Sequence, residues 1–262
     1  MELALAAAFG LLIGSFLNVC IYRLPRDLSV VQPRSRCPHC DLQIAWFDNL
    51  PVASFLLLGG RCRHCRSRIS IRYPIVELLT AVLFALAVDR WGVTLPAAKQ
   101  SLFGALMLVL AFADLETRLL PDQVTKGGFW LGLLLSLPVP VEPGLMRLIL
   151  SEASEPVASL ADALFAAAFG AGSIWTVGVL YQRIRGREGL GFGDVKMIAM
   201  TGAFLGLPKT FLTLILGSVG GSVLGLLYIL LAKKKASTYQ LPFGTFLGAA
   251  GIAVAFFTNG PV

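Results

Sequence analysis

This chain is short of charge. Only 14% of its 262 residues are Asp, Glu, Lys or Arg, against about 25% in an ordinary soluble domain. That shortage argues against a water-soluble globular protein. It also lacks the cysteine framework of a disulfide-rich secreted domain, because four of its five cysteines fall into two Cys-x-x-Cys pairs, a spacing suited to metal in a reducing compartment. No glycine-rich fingerprint on a strand–helix unit is present, so nothing in the sequence points to a dinucleotide fold. The basic residues are not gathered on one polar domain, which removes the nucleic-acid reading that a net charge of +7 would otherwise invite. The first twenty-two residues carry one charge, Glu2, and have no basic stretch before their apolar run. That is not the order of a cleaved secretory signal.

What the chain has in abundance is apolar sequence in runs of about the length a bilayer demands. After the first run, Met1–Tyr22, seven more follow at about 74–91, 101–117, 127–141, 160–181, 194–206, 210–231 and 241–258. The expected architecture is an all-α polytopic membrane protein of about eight transmembrane helices. Its expected parts are a first span (1–22), a cytoplasmic loop (23–72) and a multi-pass membrane domain (73–262). Residues 23–72 hold nine arginines, and basic loops stay on the cytoplasmic side. With eight spans both termini lie outside, on the periplasmic face. The inner loops then take Arg118, Lys126, Arg183, Arg185, Arg187, Lys196, Lys233, Lys234 and Lys235 besides those nine arginines. Only Arg90, Lys99, Arg147 and Lys209 of the twenty-two basic residues fall on the outer side. Two segments depart from the pattern. Asn49–Gly60 is apolar but too short to span and reads as a packed or interfacial piece, and 194–206 is too short to cross unaided.

The first constellation with chemistry is Cys37-Pro-His-Cys40 and Cys62-Arg-His-Cys65. Two such knuckles can close one tetrahedral Cys₄ zinc site, stapling a loop with little core of its own. His39 and His64, one in each knuckle, leave a mixed ligand set open. Four ligands leave no open position, so the zinc is read as structural. Cys20, in the first run, reads as a buried apolar residue.

The second is a pair of carboxylates. Gly189-Leu-Gly-Phe-Gly-Asp194 delivers an acid to the head of an apolar segment, and Gly191 and Gly193 offer a backbone that a partner chain can approach closely. Ser101–Ala113 is uncharged and runs inward. At 1.5 Å per residue it covers about 20 Å, placing Asp114 at the inner edge of the hydrocarbon core. Two carboxylates brought together at one depth cannot both ionise easily. One can then serve as acid while the other activates water. Simpler roles compete: an i,i+4 pair of Asp114 with Arg118, and Asp194 as a helix N-cap. Glu77, Glu116 and Asp122 are further acids near the inner face, and from composition alone Asp122 could replace Asp114 in the pair.

These blocks resemble the type 4 prepilin peptidases. The resemblance runs through Gly14-Ser-Phe-Leu-Asn-Val-Cys-Ile-Tyr-Arg-Leu-Pro25, the paired knuckles, and Arg72-Tyr-Pro-Ile-Val-Glu-Leu-Leu79. It continues through Asp114-Leu-Glu-Thr-Arg-Leu-Leu-Pro-Asp122, Gly191-Phe-Gly-Asp-Val-Lys-Met197 and Leu241-Pro-Phe-Gly-Thr245. It implies that Asp114 and Asp194 are the catalytic aspartates of a bifunctional enzyme in the bacterial inner membrane. Such an enzyme cuts the basic leader from prepilins and pseudopilins of type IV pilus and type II secretion systems. It then methylates the new N-terminal amine with S-adenosylmethionine. The methyl donor's site is not readable here; Glu77 is a candidate, with a buried structural acid as the alternative. A transporter would also place acids beside glycine-broken helices. Here, however, the acids sit at the inner edge rather than the midplane, and the aspartate block has no internal repeat. A scaffold organised by the zinc loop would leave Asp114 and Asp194 without a purpose.

Overall fold

The computed structural model describes residues 1–186, 189–231 and 241–258. Arg187, Lys233, Lys234 and Lys235 of the charge tally lie outside them. Among the described residues there is no strand, only two isolated bridges, Arg36 with Gln43 and Arg61 with Arg68. Ten α-helices follow in order: α1 Glu2–Arg23, α2 Ala53–Leu57, α3 Arg72–Trp91, α4 Leu95–Thr117, α5 Asp122–Ser136, α6 Leu145–Ile149, α7 Glu155–Arg185, α8 Phe192–Leu205, α9 Leu207–Leu231 and α10 Phe243–Phe257. Each of the eight apolar runs falls on one helix, except that the run 127–141 outlasts α5, which ends at Ser136. Four stretches are long and apolar enough to cross a membrane: Glu2–Arg26, Leu95–Thr117, Glu155–Arg185 and Leu207–Tyr228. The chain divides into two compact units, Met1–Val109 and Leu110–Val262.

In the first unit α1 and α3 pack antiparallel at backbone contact. A Cβ added at Gly10 would lie 2.7 Å from Ala81 Cα, and one at Gly14 would lie 2.6 Å from Glu77 Cα. Glycines four apart clear one stripe of a helix. Close backbone approach of this kind is how helices associate where burial of apolar surface offers no drive. Asn18, one turn further on, is buried and donates to the carbonyls of Gly14 (3.3 Å) and Tyr73 (3.1 Å).

In the second unit α8 is the centre. It packs against α5, α7, α9 and α10, and Met197, Ile198, Met200 and Ala203 have no exposed surface. A helix apolar on every side belongs in a core. The segment too short to cross unaided is therefore enclosed by longer neighbours. Small residues bring those neighbours close. A Cβ at Gly202 would stand 2.5 Å from the Ala167 nitrogen, and one at Gly132 would stand 2.7 Å from the Phe204 ring. Asp162 of α7, also buried, accepts the backbone N–H groups of Gly144 (3.0 Å) and Met146 (2.9 Å), so this acid holds the start of α6.

Candidate active site

Asp114 lies in the last turn of α4, one residue from where Leu115 is already exposed, and is itself 6% exposed. Its Oδ2 accepts the backbone N–H of Thr245 at 2.7 Å. The Thr245 hydroxyl stands 3.1 Å from that oxygen and 2.9 Å from the carbonyl of Ala111. Thr245 is in the first turn of α10, so the carboxylate meets the positive end of a helix where free N–H groups point outward. Gly244 makes the approach possible: a Cβ there would sit 3.1 Å from the Asp114 carboxyl carbon. The Arg118 charge also acts on Asp114, but the hydrogen bonds to Thr245 anchor it.

Asp194 is in the first turn of α8 and 8% exposed. The helix cap is Gly191, not Asp194, so the simple capping role does not hold. Asp194 is the third residue of the helix; its own N–H bonds the Gly191 carbonyl at 3.1 Å, and its carboxylate lies beside the Gly191 backbone. Gly191 leaves room for this, since a Cβ there would lie 3.3 Å from Asp194 Oδ2. The two carboxylates are near enough for the charge of Asp114 to act on Asp194. Leu120 wedges beside both glycine turns. It would meet a Cβ on Gly193 at 3.0 Å and one on Gly244 at 3.1 Å. The close neighbour of Gly193 is thus a side chain of the protein itself.

Asp122 sits two residues beyond that wedge and is engaged otherwise. It pairs with Lys126 at 2.7 Å and with Lys196, which reaches it from α8. This strap ties the start of α5 to the start of α8, next to Asp194. Sequence reasoning assigned no role to Thr245 or to the Asp122–Lys196 pair. The block Leu241–Thr245 was visible, but nothing in it says which carboxylate its backbone would grip.

The metal candidates lie in the first unit. Cys37, Cys40, Cys62 and Cys65 place their sulfurs within 4.8 Å of one another. A tetrahedral ion with bonds of about 2.3 Å to sulfur requires sulfur–sulfur edges of about 3.8 Å, and Cys37 and Cys65 are 3.8 Å apart. The donor set therefore fits a Cys₄ metal site, with His39 and His64 outside the cluster. The two knuckles share one build. The first cysteine's N–H bonds the carbonyl five residues on, Cys37 to Leu42 and Cys62 to Ser67. The residue after the second cysteine, Asp41 or Arg66, turns back at positive φ. The Ser67 hydroxyl, 3.1 Å from Cys65 Sγ, and the Ser67 backbone hold that thiol down at about 6, which favours the thiolate that binds metal. Arg63 of the second knuckle meets Asp48, just ahead of the apolar piece, with two hydrogen bonds of 2.8 and 2.6 Å.

Glu77, the candidate for the methyl donor, is buried in α3 and accepts the backbone N–H of Val52 at 2.8 Å. Ser15 of α1 is a second partner. Val52 has φ of 58°, a strained value for a β-branched residue. Glu77 pins that turn, and with it the Asn49–Gly60 piece, onto α3.

Residues 8–91 match the bacterial peptidase A24 N-terminal domain and residues 101–226 match the type IV leader peptidase family. Among curated relatives, the prepilin leader peptidase/N-methyltransferase of Pseudomonas aeruginosa is 36% identical, covering 92% of this chain and 86% of its own length. The protein of that name from Stutzerimonas stutzeri is also 36% identical, over 94% and 87%, and that from Neisseria gonorrhoeae is 34% identical, over 94% and 87%. No solved structure matches the chain.

Proposed function

The chain belongs to the type IV leader peptidase family, and from that premise we propose that it is a prepilin leader peptidase and N-methyltransferase whose peptidase dyad is Asp114 and Asp194. The observation that carries the dyad is the meeting of two buried carboxylates from distant parts of the chain. Asp114 is gripped by the Thr245 N–H at the start of α10, Asp194 stands in the first turn of α8 beside the Gly191 backbone, and the charge of Asp114 reaches Asp194. Structural ion pairs do not need that arrangement; general acid–base work on a peptide bond does.

Asp114 has the Thr245 N–H, the nearby hydroxyl and the Arg118 charge to stabilise an anion, so it is assigned the ionised role and takes a proton from the attacking water. Asp194, which among the described residues has no side-chain hydroxyl or cation beside it to match those of Asp114, is assigned the proton that goes to the carbonyl oxygen as the tetrahedral intermediate forms. Collapse breaks the C–N bond as the proton held by Asp114 passes to the leaving amine. A hydroxyl of the gem-diol returns its proton to Asp194, restoring both acids, and the leader's new carboxylic acid then ionises to water. The products are a carboxylate on the leader and a new N-terminal amine. That amine titrates near pH 8, so a neutral fraction able to attack a methyl donor exists without extreme tuning. S-adenosylmethionine is the proposed donor, and no residue is assigned to hold it.

Eight helices are read as spans: α1, α3, α4, α5, α7, α8, α9 and α10. The cysteine loop and the dyad then face the cytoplasm and both termini the periplasm, in a bacterial inner membrane. The basic leader stays in water while the apolar segment behind it lies among the helices. Zinc, when bound by Cys37, Cys40, Cys62 and Cys65, supplies a cross-link holding the two knuckles together. The test is incubation of purified protein with a synthetic prepilin, with and without S-adenosylmethionine, read by mass spectrometry. A shortened product that gains one methyl group, absent with Asp114→Asn and Asp194→Asn, is expected. Cleavage that survives both substitutions would sink the dyad. Cleavage without methylation would withdraw the transferase.

A further inference from the structure

The turn that joins α4 to α5 touches the start of α8 on both sides of Asp194. Before the aspartate, Gly193 packs on Leu120: a Cβ added at Gly193 would lie 3.0 Å from Leu120 Cβ. After it, Lys196 reaches the carboxylate of Asp122, the first residue of α5. The turn itself is short and braced. Arg118 leaves α4 at a φ of 56°, and its N–H bonds the Asp114 carbonyl at 2.9 Å. The Thr117 hydroxyl donates to the Ala113 carbonyl (2.8 Å) and accepts the Leu119 N–H (3.3 Å). Pro121 caps α5, and its carbonyl takes the N–H groups of Val124 and Thr125, each at 3.1 Å. One stiff piece of chain therefore carries Asp114 at one end and Asp122 at the other.

Asp194 and Lys196 likewise ride together, in the opening turns of α8. The Asp122–Lys196 pair joins the two pieces and closes a ring that contains both carboxylates of the dyad. This pair is not what holds α5 to α8. Deeper in the unit Gly132 of α5 packs on Phe204 of α8, where an added Cβ would meet the ring at 2.7 Å. Close packing fixes the helices there, and the ion pair sets their spacing at the end where the dyad lies. Lys126 separates the two roles. It meets the same carboxylate at 2.7 Å from one turn further along α5, so it neutralises charge but links no second helix. Lys196 is also the better shielded cation, its side chain 23% exposed against 64% for Lys126. Its ammonium lies 5.4 Å from the centre of the Phe192 ring as well, which keeps it over the start of α8.

We propose that Asp122 and Lys196 are positioning residues for the peptidase: their ion pair sets the gap between Asp114 and Asp194. The inference rests on the dyad reading above and goes beyond it by naming what holds the two acids in register.

The experiment compares full-length Lys196→Gln, Asp122→Asn, the double substitution, Lys196→Arg and Lys126→Gln with wild type. Each is read by prepilin cleavage kinetics and thermal melting in one detergent. A catalytic group displaced by about 1 Å can lose on the order of a hundredfold, so Lys196→Gln and Asp122→Asn should each lower kcat by at least about tenfold. KM should stay within about twofold, because the substrate's own contacts are untouched. Tm should fall by no more than about 4 °C, as befits a partly exposed pair. The double variant should be no slower than the slower single one, since both remove the same contact. Lys196→Arg keeps a cation within reach of Asp122 and should recover most of the rate, and Lys126→Gln should match wild type. Wild-type kcat in Lys196→Gln, single effects that multiply in the double variant, or an equal loss in Lys126→Gln overturns the assignment. So does a raised KM at unchanged kcat, which would make the pair a substrate contact, or a fall in Tm large enough to account for the lost rate. Failure of the dyad reading looks different. There the wild type cuts no prepilin, or Asp114→Asn and Asp194→Asn still cut, and the pair is left with nothing to position.

Discussion

Substituting one glycine tests whether α8 is held rigidly enough to position Asp194. Gly202 lies two turns past Asp194 on the same helix, and a Cβ there would stand 2.5 Å from the Ala167 nitrogen, 2.6 Å from the Ala166 carbonyl carbon and 2.7 Å from Ala167 Cα. Comfortable separation is about 3.5 Å, and backbone atoms cannot rotate out of the way. Gly202→Ala must therefore push α8 and α7 apart by about 1 Å. Overpacking of this kind costs about 1–3 kcal/mol, which for a chain of this size is a fall in Tm of roughly 2–10 °C. A catalytic group displaced by about 1 Å can lose on the order of a hundredfold in rate. The assay is prepilin cleavage at saturating substrate, with thermal melting in the same detergent. Gly172→Ala is the control, because nothing lies within 4 Å of a Cβ at that α7 position. It should be neutral or slightly stabilising through helix propensity. Wild-type kcat and Tm in Gly202→Ala would refute the close packing of α7 on α8 and, with it, the claim that this contact fixes the aspartate.

Three further outcomes are expected. Thr245→Val keeps the N–H that meets Asp114 but loses the hydroxyl, and should lower kcat by about tenfold with little change in KM, while Thr245→Ser restores it; a hydrogen bond to a charged group is worth about 1.5–3 kcal/mol. Cys40→Ser or Cys65→Ser should lower bound metal and speed proteolysis within residues 23–72 before cleavage is affected; loss of cleavage at full metal content and normal protein level would contradict a purely structural metal. The Asp48 carboxyl is held below its usual range by hydrogen bonding and charge from Arg63. This depressed value makes its stabilisation present above about pH 4 and lost as pH falls through the folded-state value. Trp46 fluorescence should therefore report a loop slightly less stable in Asp48→Asn than in wild type at pH 7, with the difference gone at low pH; a difference that persisted there would rule out the ion pair as its source. Because the pair is exposed on the Arg63 side, the difference should be small.

Much of this protein is legible in its sequence because long apolar runs leave the chain few options. A long apolar run must satisfy its backbone polar groups within itself wherever water is excluded, so each of the eight runs falls on a helix, and four of those helices are long and apolar enough to cross a membrane. The four cysteines are similarly local. Each knuckle is closed by hydrogen bonds within seven residues, and only their union needs the fold. The glycines before Asp194 marked a place of close approach, and in the structure a Cβ on Gly193 would meet the Leu120 side chain at 3.0 Å.

What the linear pattern could not supply is whatever depends on one helix meeting another. Apolarity says that a segment is buried but not against what. Hence 194–206 could be read as too short to cross unaided, and α8 is indeed only 14 residues long, but not that α5, α7, α9 and α10 pack around it. The N-cap role for Asp194 was reasonable by residue type, yet it depends on where the first turn begins, and that turn begins at Phe192. Asp122 looked as eligible as Asp114 until Lys196, seventy-four residues away, occupied it. Glu77 could not show from sequence that its partner is a backbone N–H on the loop. The sequence alone determined the all-helical class and brought the two Cys-x-x-Cys pairs and the inner-face acids forward as candidates, because spacing and hydropathy are local properties. Only the tertiary structure decided that Thr245 grips Asp114, that Leu120 wedges between the glycine turns, and that Lys196 of α8 pairs with Asp122. Those contacts join residues tens to more than a hundred positions apart, and close packing rather than local preference fixes them.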